Sequence, residues 1–288
     1  MSSIKISARL FGLLFLFLLA ANWMVWREVA LFRQAELRVT FFDVGQGDAI
    51  LVETPERHLI LIDGGPDQSI LNHLGRTLPF WRRQIDLIVL THPHDDHFYG
   101  LAQVLDRYQV NQVLWSGVAY QGSSCRLWEE ALAESSAEII IAQAGQRIRS
   151  DSTFFDILYP LESYYRYLPS DQNDLSVVAQ LTYGQQKWLL TGDATAKTEN
   201  DLMAYWGPAL QSQILKVAHH GSRSSSQAEF LDRVNPELAI IMVGADNRYG
   251  HPADELLKRL AERSIIVRRT DQDGHIKVIS NGLNYYYE

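Results

Sequence analysis

Cysteine is nearly absent from this sequence, since Cys125 is the only one among 288 residues. A single thiol excludes a disulfide within the chain and a zinc site built from several thiolates. Any metal site must therefore take its ligands from histidine, aspartate and glutamate side chains. Low-complexity stretches and internal repeats are also absent.

Positive charge is scarce as well. The chain has 26 lysine and arginine residues against 34 aspartate and glutamate residues, which gives a net charge of −8. This balance argues against a protein that coats nucleic acid through its overall charge, although it leaves local basic patches open. With 47% hydrophobic residues, the chain can bury a large core, and one domain of about 250 residues is within the usual range.

The longest uncharged apolar run covers residues 10–26. Its length is just enough for a helix that spans a bilayer. Trp23 and Trp26 at the end of the run are typical of aromatic residues at a membrane interface. We therefore predict an uncleaved single-pass anchor at residues 10–26. The alternative is a cleaved signal peptide, for which residues 19–21, Leu-Ala-Ala, offer small side chains near a cleavage point.

The charges around this run predict its orientation. Lys5 and Arg9 precede it and favour a cytoplasmic N-terminus, so the folded domain is expected outside the cytoplasmic membrane. The predicted order is a cytoplasmic N-terminus, the anchor, a linker and the folded domain, at residues 1–9, 10–26, 27–36 and 37–288, respectively.

The densest polar cluster follows residues 85–90, a short apolar run that predicts a buried strand. Turns after buried strands present polar groups to clefts. Here the turn reads Thr-His-Pro-His-Asp-Asp-His, and imidazole with carboxylate is the ligand mixture that Zn²⁺ or Mn²⁺ takes. The sequence therefore predicts a site for two neighbouring metal ions, whose ligands here are His92, His94, Asp96 and His97.

Three more strand ends carry residues suited to such a site. Asp63 is expected to accept the free N–H of a ligand histidine and so to orient its ring. Asp193 is predicted to bridge two cations with its two oxygens. His219 and His220 end a third strand, and adjacent side chains of an extended chain diverge, so only one of them is expected to bind metal. We place His219 with the metal ligands, although the sequence does not decide between the two.

If the predicted metal site activates a water molecule for hydrolysis, a further group must protonate the leaving group. His220, His251 and Asp95 are the candidates for this catalytic role. Ser222 begins a stretch with further hydroxyls at positions 224–226 and is a candidate for holding a phosphate.

Strands precede almost every one of these clusters. Strands followed by helices, and then strands and helices again, predict two halves packed as a four-layer αββα sandwich of the α/β class. The motifs resemble those of the metallo-β-lactamase superfamily, and most closely those of the hydrolase domain at the C-terminal end of the ComEC family of DNA-uptake proteins. The resemblance covers about residues 37–280, and the motifs that carry it are residues 43–48, 62–65, 91–97, 190–193, 216–222 and 249–252.

The resemblance implies an αββα fold and a metal-dependent hydrolase. Many members have another ligand histidine between the first histidine motif and the bridging aspartate, and ComEC-like sequences tend to have asparagine there. Asn173 or Asp174 would then complete the first metal site. ComEC proteins carry a many-helix channel ahead of this domain, whereas residues 10–26 replace it here, so a separate DNA-uptake channel is an expected partner.

The leading hypothesis is hydrolysis of phosphodiesters in single-stranded DNA by a metal-activated hydroxide, with Zn²⁺ or Mn²⁺ as the two divalent ions. One alternative is hydrolysis of an ester, thioester, lactone or β-lactam by the same chemistry. Another is a non-catalytic membrane-tethered module that assists DNA uptake, which the full set of clustered ligands argues against. The natural substrate, the metal and the oligomeric state are left open by the sequence.

Overall fold

The computed structural model describes residues 8–33, 36–120 and 125–288, with the side chains of residues 8–9, 27–33 and 125 outside that description. The chain divides into two compact units, Met1–Ala35 and Glu36–Glu288. The first unit contains the helix α1 (Ala8–Arg33). Residues 1–7 of the predicted cytoplasmic N-terminus lie outside the described residues.

The apolar run of residues 10–26 lies within α1. No helix in the described ranges combines the length and the apolar character needed to cross a membrane. The run itself is shorter than the roughly 20 apolar residues that match the hydrocarbon thickness of a bilayer, and Arg27 and Glu28 follow it directly. The predicted single-pass anchor is therefore not supported. The predicted membrane-anchored location of the folded domain depended on this anchor, so the single-pass anchoring of the domain is not supported either.

The second unit contains two β-sheets. The first sheet has the strand order β15-β14-β1-β2-β3-β4-β5-β6, and the second has the order β13-β12-β11-β10-β9-β8-β7. In chain order the strands are β1 (Leu37–Phe41), β2 (Ile50–Glu53), β3 (Leu59–Ile62), β4 (Gln84–Leu90), β5 (Gln109–Trp115), β6 (Glu138–Ile141), β7 (Arg147–Ser150), β8 (Thr153–Tyr159), β9 (Val178–Tyr183), β10 (Gln186–Leu190), β11 (Ile214–Lys216), β12 (Leu238–Ile241), β13 (Ile266–Arg269), β14 (Ile276–Ser280) and β15 (Tyr285–Tyr287).

Helices cover the outer faces of both sheets. Side chains alternate between the two faces of a strand, so β1 and β10 each send one apolar row into the core shared by the sheets, for example Phe41 and Trp188. On the opposite faces, Leu61 of the first sheet and Leu189 of the second pack with helices, and the four layers confirm the predicted αββα sandwich. The helices are α2 (Ser69–Thr77), α3 (Asp95–Arg107), α4 (Cys125–Glu134), α5 (Ala196–Trp206), α6 (Ala228–Val234), α7 (Asp254–Glu262) and α8 (Thr270–Asp273).

Parallel pairing brings the predicted site residues to the same edges. β3 pairs in parallel with β4, so Asp63 and the histidine turn follow neighbouring strand ends. β10 likewise pairs in parallel with β11, so Asp193 follows one strand and His219 the next. The carboxyl ends of both sheets therefore carry the polar clusters that the sequence singled out.

Away from these edges, Glu199 is a buried carboxylate of α5. Its Oε2 accepts a hydrogen bond of 3.0 Å from the Gln227 backbone N–H, and its Oε1 accepts one from the Ser226 N–H just before α6. Burial raises the pKa of Glu199 to about 7, although these hydrogen bonds and Arg259 oppose the shift. The folded chain therefore holds this proton more tightly than an unfolded chain, in which the pKa is near 4.5.

This shift predicts a pH-dependent stability. The contribution of Glu199 is complete below about pH 4.5 and is lost as the pH rises towards 7, because only the folded state keeps the proton in that window. The Glu199→Gln side chain does not titrate, but its amide nitrogen cannot accept a backbone N–H, so the variant loses one hydrogen bond at every pH. We therefore expect the stability of the variant relative to the wild type to rise by about 2–3 kcal/mol between pH 5 and pH 8.

Urea unfolding of both proteins at the two pH values measures this difference. Glu255→Gln on the exposed face of α7 is the matched control, and it should change stability equally at both. An effect of Glu199→Gln that is the same at pH 5 and pH 8 would contradict the prediction.

Candidate metal centre

Asp63 lies at the start of the site, directly after β3. Its backbone is left-handed, with φ of 55°. Gly64 follows so close to α3 that a Cβ atom there would lie 2.4 Å from Leu101 N, which only glycine avoids. This close approach sets Asp63 against the histidine turn. Its Oδ1 accepts from the Thr91 N–H at 2.8 Å, and its Oδ2 accepts from His97 Nδ1 at 2.8 Å.

Three buried imidazole rings are each oriented by a contact between Nδ1 and an oxygen atom. His92, His97 and His220 each place Nδ1 beside an oxygen that can accept its proton, which leaves Nε2 of each ring facing the centre of the cluster. A ring that donates from Nδ1 presents an unprotonated Nε2 to a metal ion. The accepting atoms are Thr91 Oγ1 at 3.1 Å, Asp63 Oδ2 at 2.8 Å and Met242 O at 3.0 Å, respectively.

Asp193 lies at the middle of the cluster. Its Oδ2 is 3.4 Å from His220 Nε2, 3.5 Å from His97 Nε2, 3.9 Å from His219 Nε2 and 4.0 Å from His92 Nε2. One carboxylate oxygen thus faces ring nitrogens from both sheets. This position suits a carboxylate shared between neighbouring cations.

The His219–His220 pair has an unexpected backbone. Both residues are left-handed, with φ of 50° and 51°, inside the short 3₁₀ turn Ala218–Gly221. The extended backbone assumed from the sequence is therefore wrong, and the two side chains converge, with Nε2 atoms 3.9 Å and 3.4 Å from Asp193 Oδ2. His220 is buried, and its Nε2 lies 3.4 Å from Asp96 Oδ2, whereas the His219 side chain keeps 31% of its surface exposed.

Asp48 and Lys216 form a buried ion pair that the sequence reasoning missed. Lys216 has no exposed surface, and its Nζ contacts Asp48 Oδ2 and donates to Gly192 O at 2.8 Å. The same Nζ lies 3.7 Å from Asp193 Oδ1. Lys216 therefore contacts the oxygen of Asp193 that faces away from the imidazoles. Both residues lie in motifs that carry the family resemblance, and that was the signal available.

The donor set fits divalent metal ions. In the part of the chain that the structure describes, four groups of three side chains bring one donor atom each to within 4.8 Å of one another. Among the described residues, His97 Nε2, His220 Nε2 and Asp193 Oδ1 are buried and make no hydrogen bond. Buried polar atoms without partners are costly unless something else binds them, and a cation would do so. The groups are His92–His97–Asp193, Asp96–His97–His220, Asp48–Asp193–His220 and Asp48–Asp63–His97.

The electrostatics of the cluster point the same way. Burial lowers the pKa of His97 and His220, but Asp193 and the other carboxylates outweigh it and bring both pKa values well above the usual one. Burial raises the pKa of Asp193, yet His220 and His97 hold it well below its usual value. At His92, burial and the charge of His97 lower the pKa. Nearby positive charge therefore stabilises these buried carboxylates, and a divalent cation would also supply such a charge.

Comparison with known proteins agrees with this geometry. Residues 42–163 match the family model of the metallo-beta-lactamase superfamily. The chain therefore contains a metallo-β-lactamase superfamily domain. In the Bacillus subtilis YhfI protein, a metallo-beta-lactamase fold protein of known structure, the alignment covers 88% of this chain and 100% of that chain with a TM-score of 0.55. The 12% sequence identity of this pair shows a shared fold alone.

Two curated relatives of the superfamily domain are more similar in sequence. ComE operon protein 3 of Bacillus subtilis is 31% identical over 261 residues, which are 84% of this chain and 33% of that protein. Competence protein ComA of Neisseria gonorrhoeae is 32% identical over 260 residues, 90% of this chain and 34% of that protein. The chain thus spans about a third of the length of these relatives. The resemblance predicted from the motifs is confirmed.

Three further predicted ligands are His94, Asn173 and Asp174, which are absent from the four donor groups found among the described residues. His94 places Nδ1 3.0 Å from His92 Nε2, but it is outside the four donor groups found among the described residues. Asn173 is buried, and its Oδ1 makes no hydrogen bond to a described residue. Asp174 instead accepts a hydrogen bond of 2.5 Å from Thr195 Oγ1. Of the two alternatives, Asn173 is therefore the one whose side-chain oxygen is buried without a hydrogen bond to a described residue.

The remaining candidates lie at the rim. Asp95 is exposed at the start of α3 and outside those donor groups. The ring of His251 lies 5.9 Å from that of His219. Ser222 is buried, with Oγ 3.0 Å from Ser224 Oγ. These residues are near the cluster without being part of it.

Proposed function

We propose that this chain hydrolyses phosphodiester bonds in nucleic acid with divalent metal ions. The observation that carries the proposal is Asp193 Oδ2, which faces four imidazole Nε2 atoms, three of them on rings tied at Nδ1. Similarity to a protein named for competence supports nucleic acid as the substrate, because competence is the uptake of DNA. The superfamily domain and the donor groups support hydrolysis with divalent metal at a coarser level.

Bound divalent ions, which we propose to be two Zn²⁺ or Mn²⁺, would lower the pKa of a water molecule and offset charge on the phosphoryl oxygens. The residues that we propose to hold them are grouped around Asp193. His220 takes the ligand role that the sequence assigned to His219, because His220 is buried and belongs to two donor groups. The proposed ligands are His92, His94, Asp96, His97, Asn173, Asp193 and His220.

Other residues serve the ligands or the substrate. Asp63 orients the His97 ring, and Lys216 holds the second oxygen of Asp193. His219 is half-exposed beside Asp193, so we propose that it or His251 gives the proton to the leaving group. The hydroxyl of Ser222 is proposed to contact a phosphate oxygen.

A substrate screen tests the proposal. The full chain loaded with Mn²⁺ or Zn²⁺ is expected to hydrolyse bis-p-nitrophenyl phosphate and single-stranded DNA, and to lose this activity in a chelator and regain it when metal returns. Thioester, lactone and nitrocefin substrates should turn over slowly or not at all. Hydrolysis of an acyl substrate without phosphodiester turnover would replace the proposal with an acyl hydrolase. Metal binding without any turnover would favour a binding module that assists DNA uptake.

A further inference from the structure

A tyrosine-rich loop, residues 160–171, lies beside the histidine turn. Two backbone hydrogen bonds, of 2.7 Å and 2.8 Å, tie this loop to residues 117–119. The next ring along, Tyr120, lies 6.3 Å from the ring of His94. The loop is therefore held at the rim of the metal centre on the side of the first sheet, where β4 ends.

One aromatic–cation pair projects from this loop. Tyr165 is 55% exposed, and the guanidinium carbon of Arg166 lies 5.2 Å from the centre of its ring. Gly117 leaves room for the ring, since a Cβ atom there would lie 3.1 Å from Tyr165 Cδ2. The pair is positioned by the fold while a large part of the ring stays open to solvent.

A second pair of the same kind lies on the side of the second sheet. Tyr249 is 56% exposed, and the guanidinium carbon of Arg248 lies 5.2 Å from the centre of its ring. The Tyr249 ring is stacked beside His251 at 5.9 Å with an interplanar angle of 24°. The His251 ring in turn lies 5.9 Å from the ring of His219, which faces Asp193. The metal centre therefore has a tyrosine–arginine pair at each of two rims.

Exposed rings and guanidinium groups are what an unpaired nucleotide strand needs. Bases stack on aromatic rings whatever their sequence, and arginine contributes both to stacking and to phosphate binding. A chain with a net charge of −8 cannot attract a polyanion by its overall charge, so local groups must supply the attraction. A small acyl substrate has no series of rings to fill two separate aromatic pairs.

We propose that Tyr165 with Arg166 and Tyr249 with Arg248 bind the bases and phosphates of an unpaired nucleic-acid strand that crosses the metal centre. The proposal rests on the proposed function and names the groups that hold its substrate. If the tyrosine rings stack on bases, the binding affinity must depend on whether the strand carries bases. Contacts to phosphates alone would not produce that dependence.

The test compares short strands of equal length that differ in their bases or in their sugars. Anisotropy of labelled oligothymidylate, oligouridylate and an abasic strand with the sugar of each is measured with the full chain in a chelator, so that no strand is cleaved. We expect the wild type to bind at least one base-bearing strand about 5- to 100-fold more tightly per stacked ring than the abasic strand. The comparison of thymidylate with uridylate shows whether DNA or RNA is preferred.

Variants identify the rings responsible. The double variant Tyr165→Ala with Tyr249→Ala should lose the preference for bases, and Tyr165→Trp with Tyr249→Trp should keep it. Phe80→Ala is the matched control, since Phe80 is 80% exposed but precedes β4, whereas the histidine turn follows that strand. Equal binding of abasic and base-bearing strands by the wild type, or a preference that survives in the double alanine variant, would overturn the proposal. Base-dependent binding without hydrolysis of any phosphodiester would contradict the proposed function instead.

Discussion

Asp193→Ala is expected to lower phosphodiester turnover by about 10³-fold or more, because removing the shared carboxylate withdraws several kcal/mol of charge stabilisation. Its Oδ2 is within 4.0 Å of four imidazole nitrogens, so no other side chain can replace it from the same position. The bound metal per chain, measured by elemental analysis after dialysis, should fall together with the turnover.

Asn173→Ala is the matched comparison. An amide oxygen can serve at most one ion, so this variant should lose less activity and less metal than Asp193→Ala. A third variant, Asp174→Ala, removes a carboxylate that accepts a hydrogen bond from Thr195. This variant should bind as much metal as the wild type. Equal turnover and equal metal content in the Asp193 and Asn173 variants would contradict a shared carboxylate at position 193.

Lys216→Met should have the largest effect on stability. Lys216 has no exposed surface, and its removal would leave the buried carboxylate of Asp48 without its cation. Breaking a buried pair from one side costs about 3–5 kcal/mol. We expect that loss in the free energy of unfolding by urea, together with weaker metal binding, since Lys216 also lies 3.7 Å from Asp193 Oδ1.

The matching double variant separates charge from packing. Asp48→Asn combined with Lys216→Met removes both charges, so it should recover much of the stability that Lys216→Met loses. Lys187→Met is the control, because Lys187 lies on the neighbouring strand β10 and donates to Gln180 instead of a carboxylate. Additive losses in the double variant would show that Asp48 and Lys216 do not act as a pair.

Local patterns in the sequence were enough for the fold class and for the centre of the site. Residues 85–90 form a strand because they are apolar and branched, and the turn after them holds its histidines and aspartates within a few positions. Parallel strands β3 and β4 end at one edge, so Asp63 lies beside that turn, whereas Asp193 reaches it from the second sheet, where β10 pairs with β11. Hydrophobic alternation does not depend on remote partners, which is why it predicts layers well.

The same kind of reasoning predicted an anchor at residues 10–26 that is not supported, and an extended backbone at His219–His220 that is wrong. Charge-free length is a local property, and it identified an apolar helix without showing that the helix can cross a membrane. His219 and His220 have a left-handed backbone, which few residues other than glycine adopt and which their sequence pattern did not indicate.

Residue types and their spacing were sufficient to predict an αββα protein with a histidine–aspartate cluster suited to metal ions. The packing of the two sheets was needed to show that His220 joins the donor groups, that Lys216 pairs with Asp48, and that tyrosine–arginine pairs lie at two rims of the site. Burial and charge pairing depend on side chains from strands far apart in the chain, so residue spacing does not reveal them. A motif states which groups are present, whereas the packing of two sheets decides which of their atoms face one another.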